Sequence, residues 1–183
     1  TKDLACFGIM GPKSRAILQS LTSADLSHAA FPFMSSQEIT VGDIKVRATR
    51  LTYVGELGWE LYVPVEQGLE LWEKIMAAGK AQGIKACGYR AIESLRLEKG
   101  YRAWAGEINT ETNPYEAGLG FAVSLKKEKF HGKDAAIAAQ SNLSRKLVAI
   151  TFDDMTCVPF GSEPIRIGSK IVGRIKSGGQ GYT

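Results

Sequence analysis

Residues 35–64, "SSQEITVGDIKVRATRLTYVGELGWELYVP", decide the fold class. The first part of this stretch predicts two strands that meet in a tight turn at Gly42-Asp43, a strong hairpin signal. The remainder, 53–64, predicts a second hairpin that turns at Glu56-Leu57. Hairpins that follow one another along the chain predict a mainly antiparallel sheet.

The alternation of side chains along a strand separates the second hairpin into two faces. Tyr53 and Glu60 are predicted to lie opposite each other on one face, while Trp59, Leu61 and Val63 share the face that packs on a core. A carboxylate accepts two parallel N–H bonds, which suits a flat ligand edge with adjacent donors, as in aminopyrimidines and pterins. A surface glutamate paired with Lys or Arg fits the same spacing and is the more common case.

The flanking segments predict the remaining elements of an α+β fold with helices packed on the sheet. The first is a strand at 4–10, followed by a helix with Pro12 in its first turn and Ile17, Leu18 and Leu21 on one face. A second helix is predicted at 66–83, with one face formed by Leu69, Trp72, Ile75 and Met76. After it come a helix at 89–100 ended by Gly100, a long polar loop at 104–118, a strand at 118–125 and a short helix at 132–140.

The character of the sequence changes after residue 141, where short strand-like runs from 147 onward are split by Pro and Gly. Within this part, Gly168-Ser169 marks a further hairpin turn. We therefore predict two domains: 1–141, an α+β domain, and 142–183, the beginning of an all-β domain.

Composition excludes several classes of function. The chain has 183 residues with a net charge of +4, three distant cysteines and two histidines. No apolar run approaches the roughly 20 residues of a membrane-spanning helix, and nothing predicts a metal site or a nucleic-acid surface. The sparse cysteines suit a reducing compartment, so we expect a cytoplasmic location, or the mitochondrial matrix in a eukaryote.

The helix at 89–100 carries a second candidate residue. Leu95 and Leu97 flank Arg96 and bring its guanidinium near the apolar boundary, where it needs an acceptor. An ion pair with Glu93 one turn away is the structural alternative. Beyond the helix, Trp104 could wall a pocket by stacking on a flat ligand, although core packing is the more frequent role of a tryptophan.

Four ordered motifs carry a resemblance to a known family: "YVGELGWELYVP", "GYRAIESLRLEKGYRAW", "TNPYEAGLGFAV" and "KFHGKDAA". The chain resembles the glycine-cleavage T-protein family of aminomethyltransferases, and within it the folate-binding C-terminal region of sarcosine and dimethylglycine dehydrogenases. The resemblance implies a tetrahydrofolate site between three domains, the last a C-terminal β-barrel that would begin at 142–183. It also implies transfer of a one-carbon unit from an amine donor, giving 5,10-methylenetetrahydrofolate, and allows for FAD in a domain upstream of this chain.

The same resemblance implies the site residues. Tyr53 and Glu60 match the tyrosine and final glutamate of the family's folate-binding motif, Arg96 matches its helix arginine, and Trp104 matches an aromatic position that lines the site. The family's catalytic aspartate lies upstream of residue 1, and Asp3 comes too late in the pattern to replace it. We therefore predict no catalytic residue in this chain and expect the fragment alone to be inactive. The expected partners are a folate and an amine donor, with no nucleic acid, no membrane and no metal; no oligomeric state is assigned.

Two alternatives of the same fold stay open at this point. One is a non-catalytic folate-binding protein of the type that assists iron–sulfur cluster assembly. That branch carries a "K-G-C-x-x-G-Q" motif, whereas this chain reads "KEKFHGKDAA" without a cysteine. The other is a folate-dependent demethylase that acts on a sulfur methyl donor.

Overall fold

The computed structural model describes residues 2–154 and 156–181. The chain divides into two compact units, Thr1–Leu95 and Arg96–Thr183, and each is described by itself. The predicted domain boundary at 141/142 and the predicted barrel remain predictions. Residue 155 and residues 182–183 of the predicted second domain, like residue 1 of the first, lie outside the described residues.

The first unit is built on a four-stranded antiparallel sheet in the order β1-β4-β3-β2, which confirms the α+β class. Its strands are β1 (Leu4–Met10), β2 (Ser36–Val41), β3 (Ile44–Thr49) and β4 (Gly58–Pro64). The turn at Gly42-Asp43 is confirmed, since Val41 pairs with Ile44 across it. Gly42 has a φ of 63°, a conformation that glycine adopts without steric cost.

The second predicted hairpin is wrong in one of its arms. Residues 51–52 have no regular structure and residues 53–57 form bends, while β4 pairs with β1 along one edge and with β3 along the other. Because both edges of β4 are occupied, residues 51–54 have no strand to pair with. Glu60 lies opposite Thr49 of β3 and Gly8 of β1, and Tyr53 is not its cross-strand partner.

The connection at 50–57 is held down by polar contacts at its end. The carbonyl oxygen of Leu57 accepts hydrogen bonds from the Gly11 amide at 2.8 Å and from the Ser14 hydroxyl at 2.9 Å. Ser14 is buried and begins helix α1, Ser14–Gln19, so Pro12 precedes the helix and does not lie in its first turn as predicted. These bonds satisfy a backbone acceptor that the irregular segment would otherwise leave unpaired.

The core lies between the sheet and the helices of the first unit. Trp59, Leu61 and Val63 are fully buried, which confirms the predicted inner face of β4. The Trp59 indole meets Phe31 edge-on at 6.2 Å between ring centroids. Burying side chains of this size contributes roughly 1.5–3 kcal/mol each, so this cluster dominates the stability of the unit.

Helix α2, Gly68–Gly79, is confirmed, but its buried face differs from the predicted one. Leu71 and Ile75 are buried with Gly68, while Leu69 is 69% exposed and Trp72 is 37% exposed. A Cβ on Gly68 would lie 3.1 Å from the Ala5 side chain, so the helix approaches β1 closely at this glycine. That close approach selects the stripe one helical turn along from Gly68 as the face that packs on the sheet.

The second unit contains shorter elements joined by irregular segments. They are α4 (Lys133–Ser141), β5 (Pro164–Ile167) and β6 (Lys170–Arg174), while α3 (Tyr89–Glu98) spans the boundary between the units. The β5–β6 hairpin confirms the turn predicted at Gly168-Ser169, and the polar run at 104–118 has no helix or strand.

Two predicted strands of this unit are wrong. Residues Gly120–Ala122 form a single 3₁₀ turn where a strand was expected at 118–125, and Phe121 is 88% exposed. Residues 147–152 have no regular structure. Apolar residues alone do not make a strand in these segments, because among the described residues no neighbouring strand supplies ladder hydrogen bonds.

Across residues 2–154 and 156–181, no helix combines the length and the apolar character required to cross a membrane.

Candidate functional site

The outer face of the sheet carries the glutamate that the sequence singled out. Because Trp59 and Leu61 point into the core, Glu60 and Tyr62 lie on the opposite face of β4. On β1, Gly8 lies opposite Glu60 and Cys6 lies opposite Tyr62. We call these four residues the sheet-face cluster.

The carboxylate of the sheet-face cluster is held by a phenol. The Tyr62 hydroxyl donates a short hydrogen bond to Oε2 of Glu60. This hydrogen bond, together with burial and the negative charge of Glu60, raises the pKa of Tyr62 well above its ordinary value. Burial and the charge of Glu60 also raise the pKa of the Cys6 thiol. The phenol and the thiol therefore stay protonated beside a carboxylate at neutral pH.

An ordinary surface ion pair does not account for Glu60. The basic residue nearest in register is Arg47, which lies opposite Tyr62 and pairs with Glu38 at 2.8 Å. Among the described residues of the first unit, Tyr62 is the residue whose side chain donates a hydrogen bond to the Glu60 carboxylate. The carboxylate is half-buried and keeps acceptor sites that Tyr62 does not use.

The neighbour of Glu60 on β1 is Gly8, which is exposed and has no side chain. A Cβ built on Gly8 would meet only Met10, at 3.4 Å and 3.9 Å. Gly58, at the start of β4, serves another purpose, since a Cβ there would lie 2.7 Å from the Ile9 carbonyl oxygen. Gly8 thus leaves room for a flat group next to the carboxylate, whereas Gly58 permits close strand pairing.

Tyr53 lies in the irregular connection at 50–57 and is half-buried. It belongs to the first unit together with Glu60, although strand pairing does not bring the two side chains face to face. The predicted role of Tyr53 therefore rests on the motif alone, because the predicted hairpin does not form.

Arg96 and Trp104 belong to the second unit. The Arg96 side chain is 2% exposed, and its Nη1 donates to Oε1 of Glu107 at 2.5 Å and to the Tyr101 carbonyl at 3.2 Å. Its Nη2 donates to the Ser177 hydroxyl at 3.1 Å. The guanidinium therefore links helix α3 to the segment at 101–108 and to residue 177.

Glu107 is a structural residue that the sequence did not single out. It is 8% exposed, and its Oε2 accepts a hydrogen bond from the Ala103 amide at 2.6 Å. Burial opposes ionisation of this carboxyl, but hydrogen bonds from Ser177, Arg96 and the Ala103 amide outweigh it and lower the pKa of Glu107. No local sequence pattern predicts such a residue, because its partner Arg96 lies eleven positions away on another element.

Trp104 follows directly on the anchored Ala103. Its side chain is 68% exposed, and its backbone forms an isolated bridge with Ile108. The Arg96–Glu107 pair thus fixes the backbone that carries Trp104, while the indole itself stays accessible. This accessibility argues against the core-packing alternative for this tryptophan.

Two surface hollows of about 500 Å³ each lie in the first unit, and neither is lined by Glu60 or Tyr62. One is lined by Glu38, Lys45 and Arg47, and the other lies around Arg15 and Asp25. Neither contains a buried carboxylate with free acceptor sites. The sheet-face cluster is the stronger candidate because its carboxylate and its phenol are half-buried and hydrogen-bonded to each other.

Comparisons with known proteins agree with the resemblance. The family described as the GCVT N-terminal domain matches residues 1–127. Mitochondrial dimethylglycine dehydrogenase of Mus musculus is 43% identical over 185 residues, covering 100% of this chain and 21% of that protein. Mitochondrial sarcosine dehydrogenase of Mus musculus is 41% identical over 185 residues, covering 100% of this chain and 20% of that protein.

A solved structure supports the fold. The glycine cleavage system aminomethyltransferase T from Bartonella henselae matches with a TM-score of 0.83 and 28% identity, covering 97% of this chain and 48% of that one. The chain therefore spans about a fifth of the length of the two dehydrogenases and about half of the aminomethyltransferase. The predicted resemblance and the predicted fold class are confirmed.

Proposed function

This chain belongs to the GCVT N-terminal domain family, and we propose that it forms part of a tetrahydrofolate site at which a one-carbon unit is transferred from an amine donor. The observation that carries the proposal is the half-buried Glu60 carboxylate, held by Tyr62 beside Gly8, an exposed residue without a side chain. An anionic carboxylate with two oxygens matches the adjacent N–H groups on the edge of a reduced pterin.

The other predicted residues enter the proposal in different ways. Trp104 enters as the aromatic residue that the motif assigns to the site, and within its own unit the indole is exposed. Arg96 supports it indirectly, because the pair with Glu107 anchors the segment next to that indole. A direct contact between Arg96 or Tyr53 and the folate stays a prediction from the motif. The guanidinium is buried and donates to Glu107, Tyr101 and Ser177, which favours the indirect role for Arg96.

The proposed chemistry depends more on positioning of the two reactants than on covalent catalysis by the protein. When bound, tetrahydrofolate would supply the nucleophilic nitrogen that accepts the one-carbon unit. Glu60 would hold the ring edge and thereby fix the distance and angle between that nitrogen and the donor carbon, which is the largest contribution such a site can make. Its negative charge would also favour a cationic donor nearby.

The donor we propose is an N-methylated amino acid. Support comes from the relatives named for dimethylglycine and sarcosine, which match over the whole of this chain. In this proposal the catalytic aspartate and the flavin expected from the resemblance belong to other parts of a longer protein. The reducing compartment expected from the sequence remains part of the proposal.

A binding titration of the intact protein with tetrahydrofolate tests the proposal. Glu60→Ala should weaken binding by roughly 1.5–3 kcal/mol, the range for a hydrogen bond to a charged group, or about 10- to 150-fold. Glu38→Ala is the matched control, because Glu38 lies in the same sheet but is exposed and pairs with Arg47. Equal affinities of the wild type and Glu60→Ala, or no binding by the wild type, would contradict the proposal.

A further inference from the structure

We propose that Tyr62 is the positioning residue of the folate site: its hydroxyl orients the Glu60 carboxylate so that the remaining acceptor sites face the ligand. This inference rests on the proposed function. The family motif names a tyrosine and a glutamate, at Tyr53 and Glu60, and Tyr62 lies two residues beyond that motif on β4.

Strand geometry places the two side chains together. Residues two apart on a strand share a face, so Glu60 and Tyr62 stand side by side on the outer face of β4. The flanking positions do not compete for the carboxylate. Cys6 opposite Tyr62 offers only a thiol, and Arg47 on the other side is paired with Glu38.

The hydrogen bond leaves the carboxylate able to bind a ligand. An ionised carboxylate has two oxygens and about four lone-pair sites, and Tyr62 occupies one of them on Oε2. Oε1 and the second site of Oε2 remain for a pair of ligand N–H groups. Because Gly8 is exposed and has no side chain, it gives those groups a direction of approach.

Fixing the carboxylate in advance raises affinity without adding a contact to the ligand. A glutamate side chain turns about three bonds, and a free one loses this rotational freedom when the ligand binds. Tyr62 restricts these rotations before binding. Because the pKa of Tyr62 is raised, the phenol remains a donor throughout the pH range in which a folate enzyme works.

A double-mutant cycle in the intact protein tests the inference, with tetrahydrofolate as the probe. The four proteins are the wild type, Tyr62→Phe, Glu60→Ala and the double variant. Tyr62→Phe should weaken binding roughly 3- to 10-fold in the presence of Glu60 and should have no effect in its absence. An equal loss in both backgrounds would mean that Tyr62 touches the ligand itself or acts through the fold, and would overturn the inference.

Tyr115→Phe is the matched control. The Tyr115 hydroxyl is buried and, among the described residues, has no hydrogen-bond partner, so the same atomic deletion should leave the affinity unchanged. A loss with Tyr115→Phe as large as that with Tyr62→Phe would overturn the assigned role of the Tyr62–Glu60 bond.

A spectroscopic titration tests the Tyr62–Glu60 hydrogen bond without any ligand. The ultraviolet signal of phenolate formation is assigned to Tyr62 by subtracting the Tyr62→Phe protein measured under the same conditions. The ionisation of Tyr62 should move to lower pH in Glu60→Ala, because the hydrogen bond and the negative charge that hold the proton are lost. An unchanged titration would overturn the inference even if folate binds.

Failure of the proposed function has a different signature. If the wild type does not bind tetrahydrofolate, both the proposed function and this inference are wrong. If the wild type binds and Glu60→Ala binds weakly while Tyr62→Phe equals the wild type, only the role of Tyr62 is overturned.

Discussion

The two units of the molecule are stabilised by different kinds of buried group. In the first unit, a cluster that includes Leu18, Trp59, Leu61 and Leu71 is fully buried between sheet and helices. In the second unit, Ala117 is the one buried apolar side chain among the described residues, and the other buried side chains there are charged: Arg96, Glu107 and Glu116.

This difference predicts which changes should reduce the stability of each unit. An apolar core loses stability in proportion to the groups removed and the cavity that remains. A buried ion pair is more fragile, because removing one partner leaves the other charge buried and unpaired. The second unit should therefore depend strongly on single polar residues and more weakly on pH, whereas the sheet surface of the first unit should tolerate change.

The largest effect is expected from Glu107→Ala. This variant leaves the Arg96 guanidinium buried without its carboxylate and should destabilise the second unit by about 3–5 kcal/mol. The Ala103 amide donates a hydrogen bond to Glu107, so hydrogen exchange in the intact protein should show that this amide loses its protection. The amides of the first unit should keep theirs.

Glu38→Ala is the control for that prediction. It breaks the exposed pair with Arg47 and should cost no more than about 1 kcal/mol, the upper end for a surface ion pair. If Glu107→Ala were as mild as Glu38→Ala, the contrast between the two units would be wrong.

The next effect separates binding from stability in the first unit. Gly8→Val should reduce tetrahydrofolate affinity at least about tenfold, because the new side chain fills the space beside Glu60. Its stability should change little, since valine favours strands and its Cβ would meet only Met10 at an ordinary contact distance. Titration and thermal unfolding of the same sample measure both quantities. Unchanged affinity would mean that the ligand does not approach over Gly8.

The smallest effect is a pH dependence of the second unit. The folded-state pKa of Glu107 is lowered, so its contribution is fully present above the unfolded value near 4.3 and is lost as the pH falls through the folded value. Acidification should therefore destabilise the second unit more in the wild type than in Glu107→Gln. Urea unfolding of both proteins across this range measures the difference, and identical pH profiles would contradict the lowered pKa.

The elements that sequence predicted correctly are those with an uninterrupted local pattern. The alternation of Trp59, Leu61 and Val63 predicts the inner face of β4, and glycine at position 42 predicts the β2–β3 turn. Both depend on neighbours within a few residues. The same alternation predicts that Glu60 lies on the outer face, although it does not identify Tyr62 as its partner.

The errors arise where a distant segment decides the outcome. Residues 51–54 look like a strand, but β3 and β1 occupy both edges of β4. The buried face of α2 is set by the close approach of Gly68 to Ala5 on β1. The pairing of Arg96 with Glu107 joins a helix to an irregular loop, and no periodicity encodes it.

The most direct test of the central claim is a structure of the intact protein with tetrahydrofolate bound. We predict that the two carboxylate oxygens of Glu60 lie within hydrogen-bonding distance, about 2.7–3.2 Å, of adjacent ring N–H groups of the pterin, with the Tyr62 hydroxyl still on Oε2. A pterin bound elsewhere, with Glu60 contacting only Tyr62 and water, would contradict the account.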